Sequence, residues 1–120
     1  MTTKDSKTRI YHNPRCSKSR QTLQLLTDKG VDTDIVEYLN TPPDVETLTE
    51  ILDMLAIEPS DLMRRNEDIY KELQLDQQNL SREALIQVMV DNPKLIERPI
   101  VISDGKAIIG RPPEKVLEII

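Results

Sequence analysis

The chain is 120 residues long, with 16 Lys plus Arg against 21 Asp plus Glu, a formal charge of -5 and a pI near 4.9. That length suits one domain with its own core, and that charge argues against a general electrostatic grip on nucleic acid or anionic lipid, so any anion site must be local. Phe and Trp are absent and Tyr numbers three, which leaves few side chains for stacking on bases or flat cofactors, and no run of about 18 apolar residues offers a membrane span.

Residues 8 to 12, "TRIYH", read as a short strand, and "NPRC" after them reads as a loop, because the residue before a proline avoids the helical region. "SKSRQTLQLLTDKG" follows, with Leu23 and Leu26 at helical spacing and Gly30 as a stop signal, which places Cys16 at or beside a helix N-terminus. "DIVEYL", residues 34 to 39, is rich in strand formers in its first half, so residues 8 to 39 form a βαβ unit. "NTPPD" breaks that pattern. Val45, Leu48, Leu52 and Leu55 then recur as an amphipathic helix requires, and helical character continues through much of 60 to 92. Ser81 is the expected N-cap of "REALIQVMVD", with Glu83 in its first turn, and "DNP" ends it. After "ERP" come "IVIS", Asp104-Gly105 and "KAII", a hairpin with a primed turn, and then a terminal helix, "PEKVLEII". The order is βαβ, helices, ββα: an α/β fold with a mixed sheet, in one domain over 1–120 with a helical insertion at about 41–95.

The stretch "HNPRCSKSR", residues 12 to 20, holds the only cysteine and the only histidine, with Arg15, Lys18 and Arg20 among nine residues. A thiol reacts as thiolate, and its pKa of about 8.5 falls at a helix N-terminus and beside cations. Exposed backbone N–H groups with cationic side chains nearby are also what an oxyanion needs, so one geometry can activate Cys16 and hold an anionic substrate. The competing role for a lone cysteine is a small buried hydrophobe, but "NPRCSKSR" is polar on every side. His12, which is weaker evidence alone, can tune the thiolate or shuttle its proton. One Cys and one His do not make a zinc site, and scattered carboxylates show no ligand spacing, so no metal is expected. A single cysteine allows no intrachain disulfide, and the polar opening "MTTKDSKTR" has no apolar segment of signal type, so the cytoplasm is the expected compartment.

Four separated motifs, "YHNPRCSKSRQTL", "LMRRN" at 62 to 66, "NPKLIERPIV" at 92 to 101 and "GRPPEKVLEII" at 110 to 120, together resemble the arsenate reductases of the glutaredoxin-linked, ArsC-like family. The resemblance covers almost the whole chain and implies a thioredoxin-like fold. It implies Cys16 as the nucleophile, His12 as the residue that helps set its ionisation, and Ser19 and Arg20 as completing the loop. It further implies Arg64, Arg98 and Arg111 around the oxyanion and Pro99 as the cis-proline facing the cysteine. Composition alone would place all three arginines on the surface. The chain departs from the best-known resistance enzymes in reading Ser17-Lys18 after the cysteine and in having no second cysteine, and so resembles a chromosomal branch of the family.

The implied activity is reduction of arsenate, or a similar small oxyanion, to arsenite, with no bound cofactor, glutathione as co-substrate and glutaredoxin as partner. A rival from another class has the same fold: Spx-type regulators, which bind RNA polymerase. Their usual switch is Cys-x-x-Cys, and the fourth position here is Ser19, so that switch cannot form.

Overall fold

A computed structural model describes residues 8–120; the opening residues 1–7, on which the expectation of no signal-type segment partly rests, lie outside the described residues. The described chain forms two compact units, one from residues up to Thr41 together with Arg98–Ile120, the other from Pro42–Glu97.

The first unit contains a four-stranded sheet in the order β2-β1-β3-β4. β1 (Thr8–His12), α1 (Ser17–Asp28) and β2 (Thr33–Glu37) make the expected βαβ unit, with β1 and β2 parallel and His12 opposite Glu37. β2 stops two residues short of the expected end because the chain turns there: the Glu37 carbonyl accepts from the N–H groups of Asn40 and Thr41, both at 3.0 Å. β3 (Ile100–Ser103) runs antiparallel to β1, and β4 (Lys106–Ile109) antiparallel to β3. Asp104 and Gly105 join them with φ of 55° and 76°, the positive angles that a primed turn needs at both central residues.

Ile10 and Val101 are cross-strand neighbours on β1 and β3, and with Leu26 of α1 and Val116 they form a core of fully buried side chains. Leu23, Val31, Ile108 and Ile119 pack around it. Ile10 and Val101 of the sheet and Leu23 and Leu26 at helical spacing along α1 thus meet on one apolar face. The terminal helix that supplies Val116, Pro113–Glu118, is a 3-10 helix and not an α-helix; Pro113 opens it at a position where a missing N–H costs nothing.

The second unit is the expected helical block, built from short helices. α2 (Val45–Leu55) forms as expected, buries Leu48, Ile51 and Leu52, and is capped by Asp44, whose Oδ1 accepts from the Thr47 N–H at 2.8 Å. Between 60 and 92, where helical character is expected through much of the stretch, the chain forms α3 (Pro59–Leu62), α4 (Asp68–Glu72), a 3-10 turn (Leu75–Gln77) and α5 (Arg82–Asp91). The first break arises because backbone groups after α3 are taken by another segment. Met63 bridges Ile96, the Arg64 N–H donates to the Leu95 carbonyl at 2.7 Å, and the Glu97 N–H donates to the Leu62 carbonyl at 2.9 Å. Gln74, with φ of 52°, ends α4's run, and Ser81 caps α5 as expected, accepting from Ala84 N–H at 3.2 Å. Among the described residues no helix is long and apolar enough to cross a membrane.

Candidate active site

β1 pairs with β2 and β3, and its last residue, His12, paired with Glu37 of β2, lies at the end of the sheet almost fully buried. The chain then turns through Asn13-Pro14-Arg15. The Asn13 side chain accepts from the Arg15 N–H, and its carbonyl accepts from the Cys16 N–H, both at 3.0 Å. Asn13 thus shapes the loop twice; the sequence signals it only as the residue before a proline. Cys16 is the N-cap of α1, with extended φ and ψ of -96° and 122°, and its carbonyl accepts from the Arg20 N–H at 3.0 Å. The expected position at the helix start is the observed one.

Burial pushes the Cys16 thiol up, but the backbone N–H of Ser19, the Arg98 guanidinium and the backbone N–H of Lys18 outweigh it, and the net shift is downward from 9.0. The thiol makes no formal capping hydrogen bond; the helix-start N–H groups act on it by favouring the charged form. Of the sequence's two explanations, the helix start therefore holds and the neighbouring cations do not. Arg15, Lys18 and Arg20 are exposed, and the cation that matters, Arg98, is 82 positions away.

Ser19 is fully buried, and its Oγ meets His12 Nδ1 at 2.6 Å and accepts from the Asn13 N–H at 3.0 Å. Burial pushes the His12 imidazole down from 6.5; Glu37 opposes and Arg20 adds to the shift, leaving the ring neutral near pH 7. Arg20 closes the loop from outside, its Nη1 donating to the Pro14 carbonyl at 3.0 Å.

Arg98 precedes Pro99, and the bond between them is cis, as the resemblance implies; Arg111-Pro112 is also cis, which the sequence reading did not foresee. Arg111 Nη1 donates to the Arg98 carbonyl at 3.3 Å, so these two arginines are neighbours although 13 positions separate them. Gly110 holds this corner together. Its N–H donates to the Pro99 carbonyl at 2.9 Å, its carbonyl accepts from Thr22 Oγ1 at 3.4 Å, and a Cβ there would lie 2.8 Å from Thr22 Oγ1 and 3.0 Å from Pro99 Cγ. Neither Gly110 nor Thr22 carries a sequence signal for this packing. Cys16, His12, Ser19, Arg20, Arg98, Pro99 and Arg111 all belong to the sheet-bearing unit. Arg64 belongs to the helical unit, where its guanidinium lies 3.3 Å from Glu67 and 3.5 Å from Glu97. Both contacts are ion pairs without aligned hydrogen bonds.

The family model described as the ArsC family matches residues 11–119. The chain belongs to the ArsC family. It is 61% identical over 113 residues to the Escherichia coli (strain K12) "Uncharacterized protein YfgD", covering 93% of this chain and 95% of that one. It is 48% identical over 109 residues to an arsenate reductase of Neisseria meningitidis serogroup A, covering 90% of this chain and 93% of that one. Among solved structures, an arsenate reductase from Vibrio cholerae superposes with a TM-score of 0.92 at 49% identity, covering 96% of this chain and 98% of that one. The fold is thioredoxin-like α/β with a mixed four-stranded sheet, the fold of its ArsC-family structural neighbours.

Proposed function

We propose that this ArsC-family chain reduces arsenate, or a closely similar oxyanion, to arsenite with the Cys16 thiolate as nucleophile. The observation that carries the reading is the Cys16 thiol itself, pushed down by helix-start N–H groups and by Arg98, so that nucleophile and anion cradle coincide. The names of the Neisseria and Vibrio relatives support the same activity. Cys16 attacks arsenic and a water leaves; Arg98 and Arg111, whose guanidinium forks match paired oxygens, hold the anion. Arg64 keeps the ligand role that the sequence resemblance implies. His12 and Ser19 hold the loop and its ionisation.

Arsenate takes up two electrons and loses one oxygen as water, while two thiols lose their protons and become one disulfide. One Cys16 regenerated in each cycle cannot be that pair, so the sulfur comes from other molecules. Glutathione attacks the Cys16-bound arsenic, glutaredoxin resolves the glutathionylated intermediate, and arsenite is released.

The test is steady-state arsenite production from purified components, omitted one at a time. Turnover is expected only with arsenate, glutathione and glutaredoxin together, and Cys16→Ser is expected to abolish it. Sustained turnover on thioredoxin without glutathione refutes the electron route, and undiminished turnover in Cys16→Ser removes Cys16 from the mechanism.

A further inference from the structure

Behind the nucleophile loop, between the turn that follows β1 and the end of β2, lies a cavity of about 300 Å³. Cys16 does not line it, but the adjacent Arg15 does, together with His12, Asn13, Glu37, Leu39 and Asn40. A cavity of this size is at the lower end of what encloses a small organic ligand. Its chemistry is zwitterionic: a guanidinium from the loop, a carboxylate from the last residue of β2, two amide side chains and one half-exposed leucine. Among the described residues neither Arg15 nor Glu37 joins an ion pair; the Glu37 carboxylate accepts one long hydrogen bond, 3.4 Å from Asn40 Nδ2, and its charge also acts on the neutral His12 ring beside it. Both charges are therefore available to a ligand that carries the opposite ones.

We propose that this cavity binds the thiol co-substrate, a short zwitterionic peptide of the glutathione class, with Arg15 receiving a carboxylate and Glu37 the ammonium group. The assignment rests on the reductase reading above, because that reading requires an outside thiol to reach Cys16. A three-residue peptide spans about 10 Å when extended, and the cavity's Arg15 is the residue next to Cys16 in the chain, so the bound thiol lies on the side of the loop that leads to the cysteine. Asn13 and Asn40 supply the amide partners such a peptide needs for its own backbone.

S-methylglutathione, which has no free thiol, isolates binding from chemistry. Titrated into the whole protein and followed by amide NMR, it is expected to saturate and to shift Arg15, Glu37, Leu39 and Asn40. Glu37→Gln and Arg15→Gln are each expected to weaken it about tenfold, the loss of one charge-assisted contact. The N-acetylated ligand, which lacks the ammonium, is expected to bind wild type and Glu37→Gln equally; a merely structural role for Glu37 does not produce that equality. Shifts confined to other residues, no binding at millimolar concentration, or Arg15 and Glu37 variants that bind as wild type overturn the site. If the peptide binds here while arsenite is never produced, the site stands and the reductase reading falls. If glutathione supports turnover but the cavity residues do not respond, the reductase reading stands and the site falls.

Discussion

At Cys16 the decisive interactions come from the backbone and from a distant side chain. The N–H groups of Ser19 and Lys18 and the Arg98 guanidinium lower the thiol pKa, and the exposed side chain of Lys18 is not among the causes. Iodoacetamide alkylation followed against pH is therefore expected to show an inflection below that of free cysteine. Arg98→Gln should move it upward, while Lys18→Gln leaves it close to wild type. An Arg98→Gln profile that overlays wild type, or an inflection at the free-cysteine value, defeats this account. The placement of a partly exposed Cys16 at a helix start was legible in the sequence because "NPRCSKSR" is too polar to bury a structural cysteine. The source of its activation was not, because a neighbour 82 positions away leaves no local pattern. The same limit hid Gly110, whose importance lies in what a Cβ would strike.

Among the elements, strands and helices followed from periodicity, and the breaks between the short helices fall where backbone groups find partners elsewhere. Residues 62 to 64 carry helix formers, yet their hydrogen bonds go to 95 to 97, a tertiary pairing that outweighs propensity. α2 ends at Ala56 with φ of 57°, a left-handed angle that costs an L-residue with a Cβ about 1 kcal/mol. Ala56→Gly at this exposed position is expected to raise stability by up to about 1 kcal/mol, read from the urea midpoint. No gain would mean that helix end is not held as described. Gly110→Ala is the opposite case. Its Cβ would lie 2.8 Å from Thr22 Oγ1, so α1 or the Pro99 corner must shift, and a loss of about 1–3 kcal/mol is expected. Thr22→Ser, which removes the methyl at 3.1 Å, should recover part of that loss, whereas a steric role elsewhere would leave it unchanged.

At the scale of the whole molecule, His12 and Asp44 each tie stability to acid. His12 has a folded pKa below 6.5, so below that pH the unfolded chain takes a proton that the folded chain refuses. Stability is intact above pH 6.5 from this source and falls as pH drops toward the folded value. Asp44, held below 3.8 by the Thr47 backbone N–H, acts in a lower window: its contribution is present above 3.8 and lost as pH falls through its folded value. Urea midpoints from pH 7 to pH 3 are expected to decline in two stages, with His12→Gln flattening the upper and Asp44→Asn the lower. A decline in the upper stage that persists unchanged in His12→Gln assigns it to another group. The shared oxygen in the nucleophile loop gives the upper stage a further meaning. Ser19 Oγ receives the Asn13 N–H and touches the His12 ring, so a single atom couples the fold of the turn to the charge state of the imidazole. Shape and charge in front of the thiol therefore meet at one oxygen, so a proton gained by the ring arrives at an atom that also holds the bend before Cys16.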